Sequence, residues 1–133
     1  MAGYGTDIYD LGGRMVLPGF VESHIHPLIA GIIGQGLWLA DAESVEEYQV
    51  KLAEYAKANP DLDVITGFGW KPFYFTDGPD KKLLDEVVDD RPVILMEISG
   101  HSAWVNSKAL AMANIDRQTL DPQEGFSYFA RDA

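Results

Sequence analysis

The chain has 133 residues, 47% hydrophobic and 23% charged, which suits one domain, or part of one, with a core of its own. Lysine plus arginine number 10 against 21 for aspartate plus glutamate, so the net charge is −11. That balance repels phosphate backbones and anionic bilayers and argues against nucleic-acid and membrane partners, while the lack of cysteine excludes disulfide scaffolds, thiol nucleophiles and cysteine-bound zinc.

The start, Met1 to Asp10, has no basic segment and carries Asp7 and Asp10, so it does not read as a signal peptide. Thr6 to Val21 read as two strands turning at Gly12-Gly13, because both central positions of a tight hairpin turn need positive φ. Pro18 cannot donate to a ladder, which puts the second strand at an edge or at a passage between sheets. Glu22-Ser23-His24-Ile25-His26-Pro27 follows at once, so an apolar strand delivers polar side chains at its C-terminal end. The apolar run Pro27 to Ala40 contains Gln35, Gly31, Gly34 and Gly36 and falls short of the roughly 18 residues that a membrane helix needs. A soluble, cytoplasmic protein is the expectation.

Ser44 opens the clearest helix, with Glu47 completing a capping box and Lys51 placed to pair with Glu47 one turn on. Val45, Tyr48, Leu52, Tyr55 and Ala56 share one face, and Asn59-Pro60 ends the element. Asp63 to Trp70 reads as strand then loop. A second helix is expected from Pro79 to Val88, with Leu83, Leu84, Val87 and Val88 as its apolar stripe. Pro92 to Ile98 is a nearly continuous apolar run of the kind buried in parallel sheets. Gly100 to Trp104 reads as a loop, Asn106 to Ala113 as a short helix, and Asp121-Pro122 and Gly125 as a turn-rich tail.

The order is thus a hairpin and then β-α-β-α-β with a final helix, which predicts parallel β/α units. Ligands in such folds sit beyond the C-terminal strand ends. Those ends are the His24/His26 cluster, Gly67 to Trp70 and Gly100 to Trp104, and all three histidines of the chain lie there.

His24 and His26 stand two apart, so in extended backbone they point to one side and can share a divalent metal. The competing reading is a pair of solvated or core-satisfied histidines. Asp85-Glu86 and Asp89-Asp90 read as a solvated helix end, since they lack the alternating ligands and central glycine of a calcium loop. No G-x-G-x-x-G, H-E-x-x-H or G-x-S-x-G occurs.

The stretch DLGGRMVLPGFVESHIHP resembles the entry to the barrel of the amidohydrolase superfamily, where a small β-domain hands the chain to a first strand ending in H-x-H. ITGFGW (Ile65 to Trp70) and GHSAWVNSKAL (Gly100 to Leu110) resemble the amidohydrolase family 3 branch, which includes enzymes similar to N-substituted formamide deformylases. The resemblance implies the first three β/α units of a TIM-type barrel. Residues 1–17 would be the end of the N-terminal β-domain and residues 18–133 the first part of the barrel. A whole barrel takes about 250 residues.

It also implies a metal-dependent hydrolase of non-peptide C–N bonds, amide or formamide in type, acting on a small molecule. His24 and His26 match the first two ligands of a divalent metal, zinc by expectation, while the remaining ligands and the proton-handling aspartate have no counterpart. The chain alone is therefore expected to be inactive. His101, Trp70 and Trp104 are implied as substrate contacts. Their alternative is structural, with His101 and Asn106 bonding loop backbone and the tryptophans in the core. The alternative for the whole chain is a non-catalytic α/β binding or interaction module that keeps a strand-end pocket. A partial barrel leaves open sheet edges, so self-association is expected.

Overall fold

The computed structural model describes residues 3–122, 125 and 127–131. The ends of the anticipated division, Met1-Ala2 and Asp132-Ala133, lie outside the described residues. Four strands, β1 (Leu37–Trp38), β2 (Ile65–Trp70), β3 (Val93–Glu97) and β4 (Ala103–Val105), form one sheet in that order. Among the described residues four α-helices accompany them: α1 (Pro27–Ile33), α2 (Val45–Ala58), α3 (Lys82–Asp85) and α4 (Ser107–Met112). β1, β2 and β3 are parallel, with Leu37 opposite Gly67 and Ile65 opposite Val93, and each crossover between them carries a helix, as the sequence order predicts. β4 turns back antiparallel on β3 and pairs Trp104 with Leu95. The result is a mixed α/β sheet, and the described residues close no barrel.

The core lies on one face of this sheet. Leu37, Ile65, Val93, Leu95 and Trp104 are buried there in one cluster with Tyr48 and Leu52 of α2 and with Leu84 and Val88. Each such aliphatic side chain contributes about 1.5–3 kcal/mol on burial, so the stripes read from the sequence carry the fold. The other face presents Trp38, Thr66, Phe68, Ile94 and Met96, all exposed or half-buried. The two glycines of ITGFGW have a steric cause. A Cβ on Gly67 would lie 2.7 Å from Leu95 Cδ2. Gly69 has φ +107°, marks a register shift between β2 and β3, and would meet the Ala40 amide nitrogen at 2.6 Å.

Ser44 caps α2 as expected, its hydroxyl accepting the Glu47 N–H at 3.2 Å. The return half of the box closes one residue earlier, on the Glu43 N–H at 2.8 Å. Lys51 pairs with Asp41 at 3.1 Å and not with Glu47, because Asp41 reaches it from the end of the β1 segment. Arg91 closes the other end of α2, its guanidinium donating to the carbonyls of Ala56 at 2.9 Å and Pro60 at 2.8 Å. α3 is shorter than the expected Pro79–Val88 helix, although Leu84 and Val88 are still buried.

Three elements depart from the sequence reading. Thr6 to Val21 form no strands: the turn is present, with Gly12 at φ 57°, Gly13 at φ 78° and the Arg14 N–H bonded to the Leu11 carbonyl at 3.1 Å, but its arms do not pair. A two-stranded hairpin is marginal without a surface to pack on, and these arms are exposed. The first parallel strand is instead Leu37–Trp38, inside the apolar run Pro27 to Ala40, where two residues are too few to show a period. Ala103 and Trp104, expected in the loop after the third strand, form β4 together with Val105. No helix among the described residues is long and apolar enough to cross a membrane.

Candidate metal site

His24 and His26 converge without a strand. Bends at Ser23 and His24 follow a carboxylate turn in which Glu22 Oε1 accepts the His24 N–H at 2.7 Å. His26 is the N-cap of α1, Pro27 takes the first helical turn, and the His26 carbonyl accepts the Ala30 N–H at 3.0 Å. This entry brings the two rings to 5.0 Å between centroids at 72°, with Nε2 to Nε2 at 3.1 Å. Both side chains are exposed.

At that distance one imidazole can donate a ring N–H to the ring nitrogen of the other, either ring serving as donor according to its tautomer. The two rings can also turn both lone pairs to a cation. An ion held about 2.0–2.1 Å from each nitrogen would see them at roughly 100°, close to the tetrahedral angle. The donor pair therefore fits two positions of a divalent metal. Among the described residues, no group of three or more histidines, cysteines, aspartates and glutamates is placed to hold one.

The other anticipated contacts divide by burial. Trp70 and Trp104 are buried, 6.3 Å apart between ring centroids, with Phe75 against both. Their indole N–H groups donate to the Leu95 carbonyl at 2.8 Å and to the Asp80 carbonyl at 2.9 Å. In this chain they are core residues with their polar atoms already used. His101 is exposed on the turn between β3 and β4, after Gly100 at φ 77°. Its N–H donates to Ser99 Oγ at 3.4 Å, and the Ser99 hydroxyl donates to Glu97 Oε2 at 2.8 Å.

A polar group that the sequence did not single out lies at the C-terminal end of β2. Tyr48 Oη accepts the Lys71 N–H at 2.9 Å, and Lys71 Nζ donates to the Ala42 carbonyl at 3.3 Å while lying 5.6 Å from the Tyr74 ring centre. Burial raises the Tyr48 pKa above 10.0. The Lys51 ammonium bonded to Asp41 lowers that carboxylate below 3.8. Helical spacing placed Tyr48 on the apolar face of α2 but could not show what its hydroxyl bonds.

The profile of the amidohydrolase family matches residues 7–132. The chain is 37% identical over 123 residues to the amidohydrolase YtcJ of Bacillus subtilis, covering 90% of this chain and 23% of that protein. It is 33% identical over 133 residues to the exoenzymes regulatory protein AepA of Pectobacterium carotovorum, covering 96% of this chain and 29% of the relative. A solved metal-dependent hydrolase of Pyrococcus horikoshii superposes with a TM-score of 0.57 at 28% identity, over 83% of this chain and 21% of that one. The chain thus spans less than a third of the length of these relatives.

Proposed function

The chain belongs to the amidohydrolase family, and from that premise we propose that it is the metal-binding entry portion of a metal-dependent hydrolase acting on amide- or formamide-type C–N bonds in a small molecule. The observation that carries the reading is the 3.1 Å approach of His24 Nε2 to His26 Nε2. The solved relative named as a metal-dependent hydrolase supports a divalent metal, and the donor chemistry of two imidazoles suits zinc.

In this reading His24 and His26 hold the metal, each through Nε2, with the carboxylate turn of Glu22 and the N-cap of α1 fixing where their backbones run. A divalent metal, once bound, supplies positive charge that polarises a carbonyl and makes water more acidic. In the same reading His101, exposed beyond the end of β3, contacts substrate, while the indoles of Trp70 and Trp104 are bonded to core backbone. Two ligands make a weak site and no proton-handling aspartate is identified, so the chain by itself does not turn over.

The test is elemental analysis and titration with zinc and cobalt on the purified chain. Weak or sub-stoichiometric metal, lost in His24→Ala/His26→Ala, is expected. Tightly held metal that survives this double change would overturn the ligand assignment. Amide, carbamate and formamide hydrolysis should stay at the level of a metal-free control. Turnover that purifies with the chain and disappears in His24→Ala would refute the inactivity.

A further inference from the structure

The Glu97 N–H donates to the Ser102 carbonyl at 2.9 Å and the Gly100 N–H to the Glu97 carbonyl at 2.8 Å, so Ile98 to His101 form a hairpin loop between β3 and β4. Gly100 takes the positive φ, 77°, that the loop requires. The Ile98 N–H donates to the Trp70 carbonyl at 2.9 Å and ties the loop to the end of β2. These bonds run between backbone atoms and close the hairpin by themselves. Two others run through side chains. The Ser99 hydroxyl donates to Glu97 Oε2 at 2.8 Å, and its oxygen accepts the His101 N–H at 3.4 Å. Glu97 is the only charged residue in the apolar run Pro92 to Ile98, and it is half-buried. A carboxylate at such a position costs desolvation unless it has a bonded role.

We propose that Glu97 and Ser99 are positioning residues for His101: the carboxylate holds the Ser99 hydroxyl, and the hydroxyl oxygen holds the backbone from which the His101 imidazole extends. The inference rests on the reading that His101 contacts substrate. Chemistry is the first argument. The bond from Ser99 to Glu97 is charge-assisted, and it commits the one hydroxyl proton to the carboxylate. The oxygen lone pairs are then left to accept, so the His101 N–H meets an acceptor and never a competing donor. Without the carboxylate the hydroxyl is free to rotate, and the acceptor is no longer fixed. Order along the chain is the second argument. Residues 97, 99 and 101 stand two apart and act in series, while the N–H groups of Ile98 and Gly100 between them stay on backbone carbonyls. Holding an exposed imidazole in place before substrate arrives lowers the ordering cost of the contact. The carboxylate thus acts on substrate only through Ser99 and His101.

Amide hydrogen exchange, read by NMR on the full chain, separates this role from general support of the hairpin. Ser99→Ala should lower the protection of the His101 amide about fivefold, the worth of one hydrogen bond, with the Ile98 and Gly100 amides unchanged. Glu97→Leu, which suits the apolar strand, should act in the same direction. Glu97→Gln should fall between, because its amide oxygen still accepts the Ser99 proton but without charge, and Ser99→Thr should restore the native value. A His101 amide indifferent to Ser99→Ala, or Ile98 and Gly100 losing protection along with it, would overturn the assignment. Excess formamide should shift the His101 ring resonances in the native chain and shift them less in Ser99→Ala. Ring resonances that formamide leaves unmoved in the native chain would overturn the substrate contact, a failure separate from that of the positioning, which the exchange rates decide.

Discussion

The side-chain carbonyl of Asn106 accepts the N–H of Val93 at 3.0 Å, tying the start of α4 to the first residue of β3. The same oxygen caps α4 through the Ala109 N–H at 2.9 Å, and the amide nitrogen donates to the carbonyls of Val88 at 3.0 Å and Arg91 at 2.9 Å. Asn106 is fully buried, and its two donors and its acceptor oxygen are all in use. Truncation to alanine strands backbone groups of three segments away from water. Asn106→Ala should cost about 3 kcal/mol in urea unfolding. Asn106→Asp, which keeps the acceptors but sets a carboxylate against two carbonyls, should be no better at neutral pH.

Gly69 and Gly78 both have positive φ, +107° and +86°, but only Gly69 is crowded. Alanine at Gly78 meets nothing within 4 Å and should cost about 1 kcal/mol, the strain of its backbone alone. Alanine at Gly69 adds the collision with Ala40 and should cost at least about 2 kcal/mol more. Thermal melts of the two variants side by side decide it, and equal losses would contradict the packing described for β2.

Asp41, Asp116 and Asp121 are held below 3.8, by the Lys51 side chain, the Gln118 N–H and the Phe129 N–H respectively. A depressed carboxylate stabilises the fold above its unfolded pKa and loses that contribution as pH falls through the folded one. Stability should therefore fall below about pH 4, gently and less so in high salt, because all three are exposed. Tyr48 runs the other way: burial raises it above 10.0, so its contribution is complete below pH 10.0 and is lost as pH climbs through the raised value. Denaturant midpoints from pH 2 to 11, with Tyr48→Phe flattening the alkaline limb, provide the check.

Chelation should leave the melting temperature of the chain unchanged. His24 and His26 are exposed, and α1 buries no residue, so a metal there ties no core element to another. A melting temperature that drops with chelator in the native chain but not in His24→Ala would show that the pair is coupled to the core.

What could be read in advance follows from where the information is local. Ser44 with Glu47 and the stripe Tyr48, Leu52, Leu84, Val88 were readable because a cap and a helical period each sit within a few residues. Leu37–Trp38 was not, since a two-residue strand exists only through its pairing with Gly67 and Phe68. The Gly12-Gly13 turn was readable, but pairing across it needed a surface that residues 6–21 do not reach. The H-x-H spacing suggested convergence on a strand, and the convergence came from the Glu22 turn and the N-cap of α1. Trp70 and Trp104 drew attention as pocket walls, yet what settles their place is a pair of indole bonds to backbone 25 and 24 residues away.

The distribution of the three tryptophans makes the molecule report on itself optically. Trp70 and Trp104 lie in contact in the core, while Trp38 stands half out of the open face beside Phe68. Emission from the first two follows unfolding, and their close, nearly perpendicular rings lend them a coupled near-ultraviolet signal. Emission from Trp38 follows whatever comes to lie on that face, so quenching by iodide separates a covered sheet from a bare one in the unmodified chain.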